Sequence, residues 1–178
     1  MGKIVVVMYV TLDGVMEEPS WTAPYWDDEL AKFQLELLFR SDALLLGRVT
    51  YEGFAAAWPA AEDEEGFAER INKLPKYVVS TTLKRTEWNA RLITRDIPQE
   101  ISKLKKTGQR LVVYGSAELI ESLLKHDLID ELHLMTFPLV LGEGKRLFKE
   151  NADQKMFNLK NIRPTDSGVL IASYTPDK

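Results

Sequence analysis

The chain has 178 residues, 45% hydrophobic, 28% charged and 10% aromatic, enough apolar mass for one sizeable core and too much for a disordered chain. The absence of cysteine excludes a disulfide framework, a thiolate metal site and a cysteine nucleophile. With 23 basic against 27 acidic residues and no basic tract, a nucleic-acid partner is not expected.

The first apolar run, Ile4 to Val10, is β-branched and reads as a strand covered on both faces. It is far shorter than the ~20 residues that cross a bilayer, and no export signal precedes it, so a cytoplasmic chain with no membrane partner is expected. Leu30, Phe33, Leu37 and Leu38 recur at helical spacing behind Asp27-Asp28-Glu29, acids that suit a helix N-terminus. Asp42 to Gly47 reads as a second strand, followed by a helix from about Thr50 to Ala57 that stops before Pro59. The acidic stretch Glu62 to Glu65 is expected to open another helix through Ile71. Tyr77 to Ser80 and Arg91 to Thr94 are short strands, and Pro98 starts a helix closed by Gly108. Arg110 to Tyr114 is a strand, Ala117, Ile120, Leu123 and Leu124 stripe a helix, and Glu131 to Phe137 is a strand.

Strands alternating with helices predict an α/β fold in three layers, with a mostly parallel central sheet. Lys155 to Ile162 and Val169 to Thr175 flank a turn-rich link and predict a C-terminal antiparallel hairpin at the sheet edge. No repeat or linker interrupts the chain, so a single domain over residues 1–178 is expected.

Ligands of open α/β sheets bind at the carboxyl ends of the strands. Four strand-end turns here are unusual: Thr11-Leu12-Asp13-Gly14, Gly47 to Glu52, Ser80-Thr81-Thr82 and Gly115-Ser116-Ala117-Glu118. Glycine lets backbone approach a ligand, and helix N-termini offer free N–H groups to an anion. Each Ser or Thr alone also reads as a helix cap; several on one sheet edge point to a pyrophosphate, with Arg48 beside it. The Gly-x-Gly-x-x-Gly turn is absent, and Gly142-Glu143-Gly144 reads as a tight turn. His126 and His133 lack metal-ligand spacing, so no metal is expected, and Ser116 has no histidine placed to activate it.

Taken together, these turns resemble the dihydrofolate reductase superfamily, in the branch related to the reductase domain of bacterial riboflavin biosynthesis. The resemblance rests on Thr11-Leu12-Asp13-Gly14, the hexapeptide Gly47 to Glu52, Val113 to Leu119, Leu128-Ile129-Asp130-Glu131 and Pro138 to Phe148, in family order. It implies a dihydrofolate-reductase-like fold with NADPH laid across the strand ends. Gly47, Arg48, Val49 and Thr50 would then hold phosphates at one helix start. Gly115, Ser116, Ala117 and Leu119 would hold the pyrophosphate side at another, and Ser80 and Thr81 would line the adenosine. Arg48 suits a 2′-phosphate, which favours NADPH over NADH. Where many relatives have Gly-Gly this chain has Tyr114-Gly115, a ring that would narrow the approach to the cofactor.

By the same resemblance, Asp13 and Glu29 are the candidate catalytic acids, with Asp13 at the substrate; Trp26, in the aromatic cluster of the loop after Asp13, is the other candidate substrate contact. On the residues alone, Asp13 also suits an Asx turn and Glu29 the helix dipole, while Trp21, Tyr25 and Trp26 would wall a pocket or cover the sheet edge. The expectation is an NADPH-dependent reductase of a small heterocyclic or sugar-linked pyrimidine substrate, forming a homodimer. The alternatives are a non-catalytic nucleotide-binding or dimer-forming relative and, second, a dihydrofolate reductase. The riboflavin step itself is not expected, since no deaminase domain precedes this one and its zinc-binding signature is absent.

Overall fold

The first strand sets the plan of the molecule. In β1 (Lys3–Thr11), Ile4, Val6, Met8 and Val10 enter one apolar cluster while Val5 and Val7 enter a second on the opposite face, so β1 is buried on both sides. The computed structural model describes residues 1–178. After β1 come a 3₁₀ turn (Pro19–Tyr25), α1 (Asp28–Phe39), β2 (Ala43–Gly47), α2 (Arg48–Ala57), α3 (Phe67–Lys73), β3 (Lys76–Val79) and β4 (Ala90–Ile93). The chain continues through α4 (Ile97–Lys106), β5 (Arg110–Val113), α5 (Ala117–Lys125), β6 (Glu131–Phe137), β7 (Phe157–Pro164) and β8 (Leu170–Pro176).

The eight strands form one sheet in the order β4-β3-β2-β5-β1-β6-β8-β7, parallel from β4 to β6 and antiparallel from β6 to β7. Helices α4 and α5 cover one face, and α1, α2 and α3 the other, which gives the expected three layers. The returning chain inserts β5 between β2 and β1. Their carboxyl ends therefore lie side by side.

Two local differences from the sequence reading have simple causes. The acidic stretch 62–65 is not helical: Asp63 instead accepts from the amides of Gly66, Phe67 and Ala68, and α3 begins only at Phe67. The 3₁₀ turn carries two prolines at Pro19 and Pro24, which hid its periodicity. The expected antiparallel hairpin forms at the sheet edge, with β8 pairing to β6 because Ile171 and Ala172 are buried while β7 is exposed along nearly its whole length.

A lysine closes the β3 side of the sheet. Lys76 is 1% exposed; its Nζ donates to the Asn72 carbonyl at 2.8 Å and lies 4.0 Å from the centre of the Trp88 ring. Trp88 in turn donates to Asn72 Oδ1 at 2.7 Å, so one cation pins the end of α3 to the turn before β4. Burial pulls the Lys76 ammonium down from 10.5 to about 8. Between those values the unfolded chain holds a proton that the native chain has released, so stability rises with pH across that window. Urea unfolding at about pH 7.5 and about pH 9.5 is expected to show this rise in the parent protein, and a flatter response in Lys76→Met.

Candidate functional site

Strand register brings the candidate residues to one edge. Leu44 of β2 pairs with Val112 of β5, which sets Gly47 opposite Gly115 three residues on. The Gly47 amide indeed donates to the Gly115 carbonyl at 2.9 Å. Gly47 is also the N-cap of α2, and Ser116 the N-cap of α5. The two helix tips therefore adjoin rather than diverge. Each presents first-turn N–H groups that have no partner within their own helix.

Bare backbone makes this approach possible. A Cβ on Gly47 would collide with the side chain and backbone nitrogen of Ser116. A Cβ on Gly115, whose φ is +140°, would come 2.5 Å from Thr50 Oγ1. Thr50, Gly115, Ser116 and Gly47 thus close one small cradle from two helices.

The remaining predicted residues divide by what their side chains already do. Arg48 lies at the rim and pairs with Glu52 one turn along, at 3.0 Å, with both side chains about half exposed. Val49 is exposed and offers the cradle only its backbone. Ser80 stands beside this rim, since Gly47 pairs with Val79, but its hydroxyl already accepts from the amides of Thr82 and Leu83 at 3.1 Å each. Thr81 next to it is exposed. Ala117 and Leu119 are buried, and Leu119 packs in the core beneath α5, so the resemblance-based contact cannot come from its side chain.

Asp13, the candidate to supply a proton or orient the substrate, has its carboxylate already engaged. Its carboxylate accepts from Thr11 Oγ1 at 2.5 Å, from the Gly142 amide at 2.8 Å and from the Leu141 amide at 3.3 Å. The Thr11 hydroxyl first, and then the Gly142 amide, hold the carboxyl down to about 2, so it is ionised at neutral pH. Asp13 is a clamp: the loop after β6 runs back over the end of β1, with further bonds from Leu12 N to the Leu139 carbonyl and from Met16 N to the Lys145 carbonyl. Gly142 and Gly144 make the turns of that loop, and Lys145 reaches Glu118 in the first turn of α5. Glu29 is the opposite case: half-buried in the first turn of α1, on the same stripe as Phe33, with no hydrogen-bonding or ionic partner.

An aromatic end adjoins the cradle on the α1 side. Tyr9 meets Trp26 and Phe137 edge-on at 5.8 and 5.9 Å, and Trp21 and Tyr25 pack on Phe137 as well. Trp26 is 43% exposed and stands at its mouth. Tyr114 turns its ring onto this face of the sheet, 5.8 Å from Phe54, with its hydroxyl enclosed. Gln34 donates to Tyr9 Oη at 2.8 Å. Gln34 and Tyr9 were missed in the sequence because they occupy ordinary helix and strand positions; only their meeting is distinctive. The two histidines are engaged elsewhere, His126 with the Ser122 carbonyl and His133 with Ser173 and Glu131. Two cavities of about 410 and 450 Å³ are lined by none of the predicted residues.

The chain belongs to the RibD C-terminal domain family, whose model matches residues 2–171. It is 32% identical over 180 residues to the uncharacterized protein YyaP of Bacillus subtilis, covering 97% of this chain and 94% of that one. Among solved structures, a candidate riboflavin biosynthesis protein from Shewanella sp. PV-4 superposes with a TM-score of 0.77 at 21% identity, over 99% of both chains. A diaminohydroxyphosphoribosylaminopyrimidine deaminase/5-amino-6-(5-phosphoribosylamino)uracil reductase from Thermotoga maritima superposes at 0.69 and 15% identity, over 99% of this chain and 57% of that one. A dihydrofolate reductase from Enterococcus faecalis complexed with NADP(H) superposes at 0.68 and 15% identity, over 99% and 98%. The fold is that of the dihydrofolate-reductase-like proteins, in the riboflavin-reductase-related branch.

The cradle's need for bare backbone is directly testable. Gly47→Ala is expected to cost about 1–3 kcal/mol of stability through overpacking against Ser116, read as a lower urea midpoint, whereas Gly53→Ala, on the open side of α2, leaves the midpoint unchanged or raises it.

Proposed function

We propose that this member of the RibD C-terminal domain family is a cytoplasmic NADPH-dependent reductase of a small heterocyclic or sugar-linked pyrimidine substrate, acting as one domain over residues 1–178 and as a homodimer. One observation carries the reading: two helix tips meet at adjacent strand ends through the Gly47–Gly115 hydrogen bond, with a guanidinium at the rim. Two tips that can adjoin only because Gly47 and Gly115 carry no Cβ suit an anionic diphosphate. The NADP(H) complex of the Enterococcus faecalis protein, which shares the fold, supports the choice of cofactor.

When bound, the nicotinamide supplies the hydride, and the protein supplies position and electrostatics. Backbone amides of the α2 and α5 tips, with the Thr50 and Ser116 hydroxyls, hold the pyrophosphate. Arg48 exchanges Glu52 for a phosphate oxyanion, a swap that costs little because the existing pair is solvent-exposed. Asp13 serves this site as a fixed carboxylate that seats the 138–146 loop beside the α5 tip. Glu29 and Trp26 then face the substrate, and the partner-free Glu29 is the acid available to exchange a proton there. That same Glu29 favours the second reading, a dihydrofolate reductase proper. The homodimer reading rests on β7, an edge strand that exposes Leu159 and Ile162.

Titration of the parent protein with NADPH, followed by cofactor fluorescence, is expected to saturate at micromolar concentrations. Loss of the Arg48 phosphate contacts in Arg48→Ala is expected to weaken NADPH by about 10- to 100-fold and NADH far less. No saturable binding by the parent would favour the non-catalytic alternative. Size-exclusion chromatography with light scattering is expected to give twice the mass of one chain, and Ile162→Lys on the β7 edge to shift it toward the monomer.

A further inference from the structure

The loop after β6 is held by its backbone. Lys145 N donates to Glu17 Oε2 at 3.1 Å, the Lys145 carbonyl accepts from Met16 N at 2.9 Å, and Leu147 N donates to the Gly14 carbonyl at 2.9 Å. With the bonds from Leu141 and Gly142 to Asp13, these grip Lys145 on both sides, whatever its side chain does. That side chain crosses to α5 and ends on the carboxylate of Glu118, two residues past the Ser116 N-cap. A partly exposed lysine–glutamate pair is worth ~0–1 kcal/mol, so it adds little to a loop already held this way.

The place where the pair sits gives it a different use. Side chains on a helix lean toward its N-terminus, so Glu118 leans toward the tip that adjoins Gly47. The helix dipole favours an acid at that tip in the free protein. A diphosphate bound there would meet the same carboxylate as a like charge. Lys145 is the cation that answers both states, resting on Glu118 in the free protein and turning to a phosphate oxygen in the bound one. Arg48 stands in the same relation to Glu52 at the α2 tip. A second lysine, Lys149, meets Glu121 at 2.6 Å one turn farther along α5, away from the tip.

We propose that Lys145 is a cofactor-binding residue that exchanges Glu118 for a diphosphate oxygen at the α5 tip, with Glu118 as its built-in competitor. The inference rests on the reading above, which seats a dinucleotide at these tips, and adds how its affinity is set. Loss of the lysine removes a phosphate contact and leaves the Glu118 charge uncompensated. Loss of the glutamate charge frees the lysine and removes the repulsion. The two halves of one ion pair therefore act on the cofactor in opposite directions. The diphosphate is common to NADPH and NADH, so Lys145 acts on both alike, whereas Arg48 acts on the 2′-phosphate.

NADPH, NADH and inorganic pyrophosphate are titrated calorimetrically into the parent, Lys145→Ala, Glu118→Gln and Lys149→Ala. Lys145→Ala is expected to weaken NADPH and NADH by the same factor, roughly threefold to tenfold, the worth of one charge-assisted contact at a partly exposed site. Glu118→Gln is expected to tighten both by roughly twofold to fivefold. Lys149→Ala is expected to leave both unchanged. A pair that only straps the loop gives the same sign in both of its variants, so Glu118→Gln that weakens NADPH or leaves it unchanged overturns the proposal. So does Lys145→Ala that binds NADPH as tightly as the parent, or that loses affinity for NADPH alone, the mark of a 2′-phosphate contact. Equal weakening by Lys149→Ala overturns it as well, since diffuse surface charge then accounts for the effect. A parent that binds pyrophosphate with these opposite effects but neither dinucleotide sustains this inference and removes the reductase reading. A parent that binds NADPH while the two pair variants move together keeps the reductase reading and removes this inference. A parent that binds none of the three removes both.

Discussion

The hydrogen bond from the Gly47 amide to the Gly115 carbonyl joins the ends of two neighbouring parallel strands at the point where each becomes a helix. Because β5 returns to lie between β2 and β1, the α2 and α5 tips are brought side by side rather than spread along the sheet. Their partial positive charges then sum at one place, which is what an anionic linker needs. The arrangement tolerates no side chain at either glycine, since Ser116 fills the space beside Gly47 and Thr50 the space beside Gly115. Adjacency, charge and bare backbone are therefore one constraint.

Around that cradle the ionisable groups fall into two kinds. Asp13 is fully engaged by Thr11, Leu141 and Gly142, and its low pKa is the consequence of holding a loop in place. Arg48 and Lys145 each rest against an acid, Glu52 and Glu118, near the start of a helix. These exposed pairs contribute little to stability and are easily exchanged for another anion. A carboxylate bound by several amides is not exchanged so readily. The distinction separates groups that build the site from groups left to meet a ligand.

The other end of the site is neutral and aromatic. Tyr9, Gln34 and Tyr114 lie among Trp26, Phe54 and Phe137, and their unused hydrogen-bonding capacity is all uncharged. The exposed Trp26 stands where the two regions meet solvent.

The sequence by itself determined the layers, because β-branched runs such as Ile4 to Val10 and stripes such as Ile120 and Leu123 carry their periodicity locally. It also determined which turns bear the candidate cofactor contacts, since Gly47-Arg48-Val49-Thr50 and Gly115-Ser116-Ala117 are contiguous strings. Local signals failed at the acidic stretch 62–65, where composition resembled a helix start but the Asp63 side chain caps from outside the helix. Nor was the packing of the Tyr114 ring against Phe54 legible in its neighbour Gly115. What only the tertiary structure decided was which distant groups meet: Asp13 with Gly142, Lys76 with Trp88, Gln34 with Tyr9. Each pairing depends on strand order and register, and these are fixed by the burial of whole faces rather than by any short run of residues.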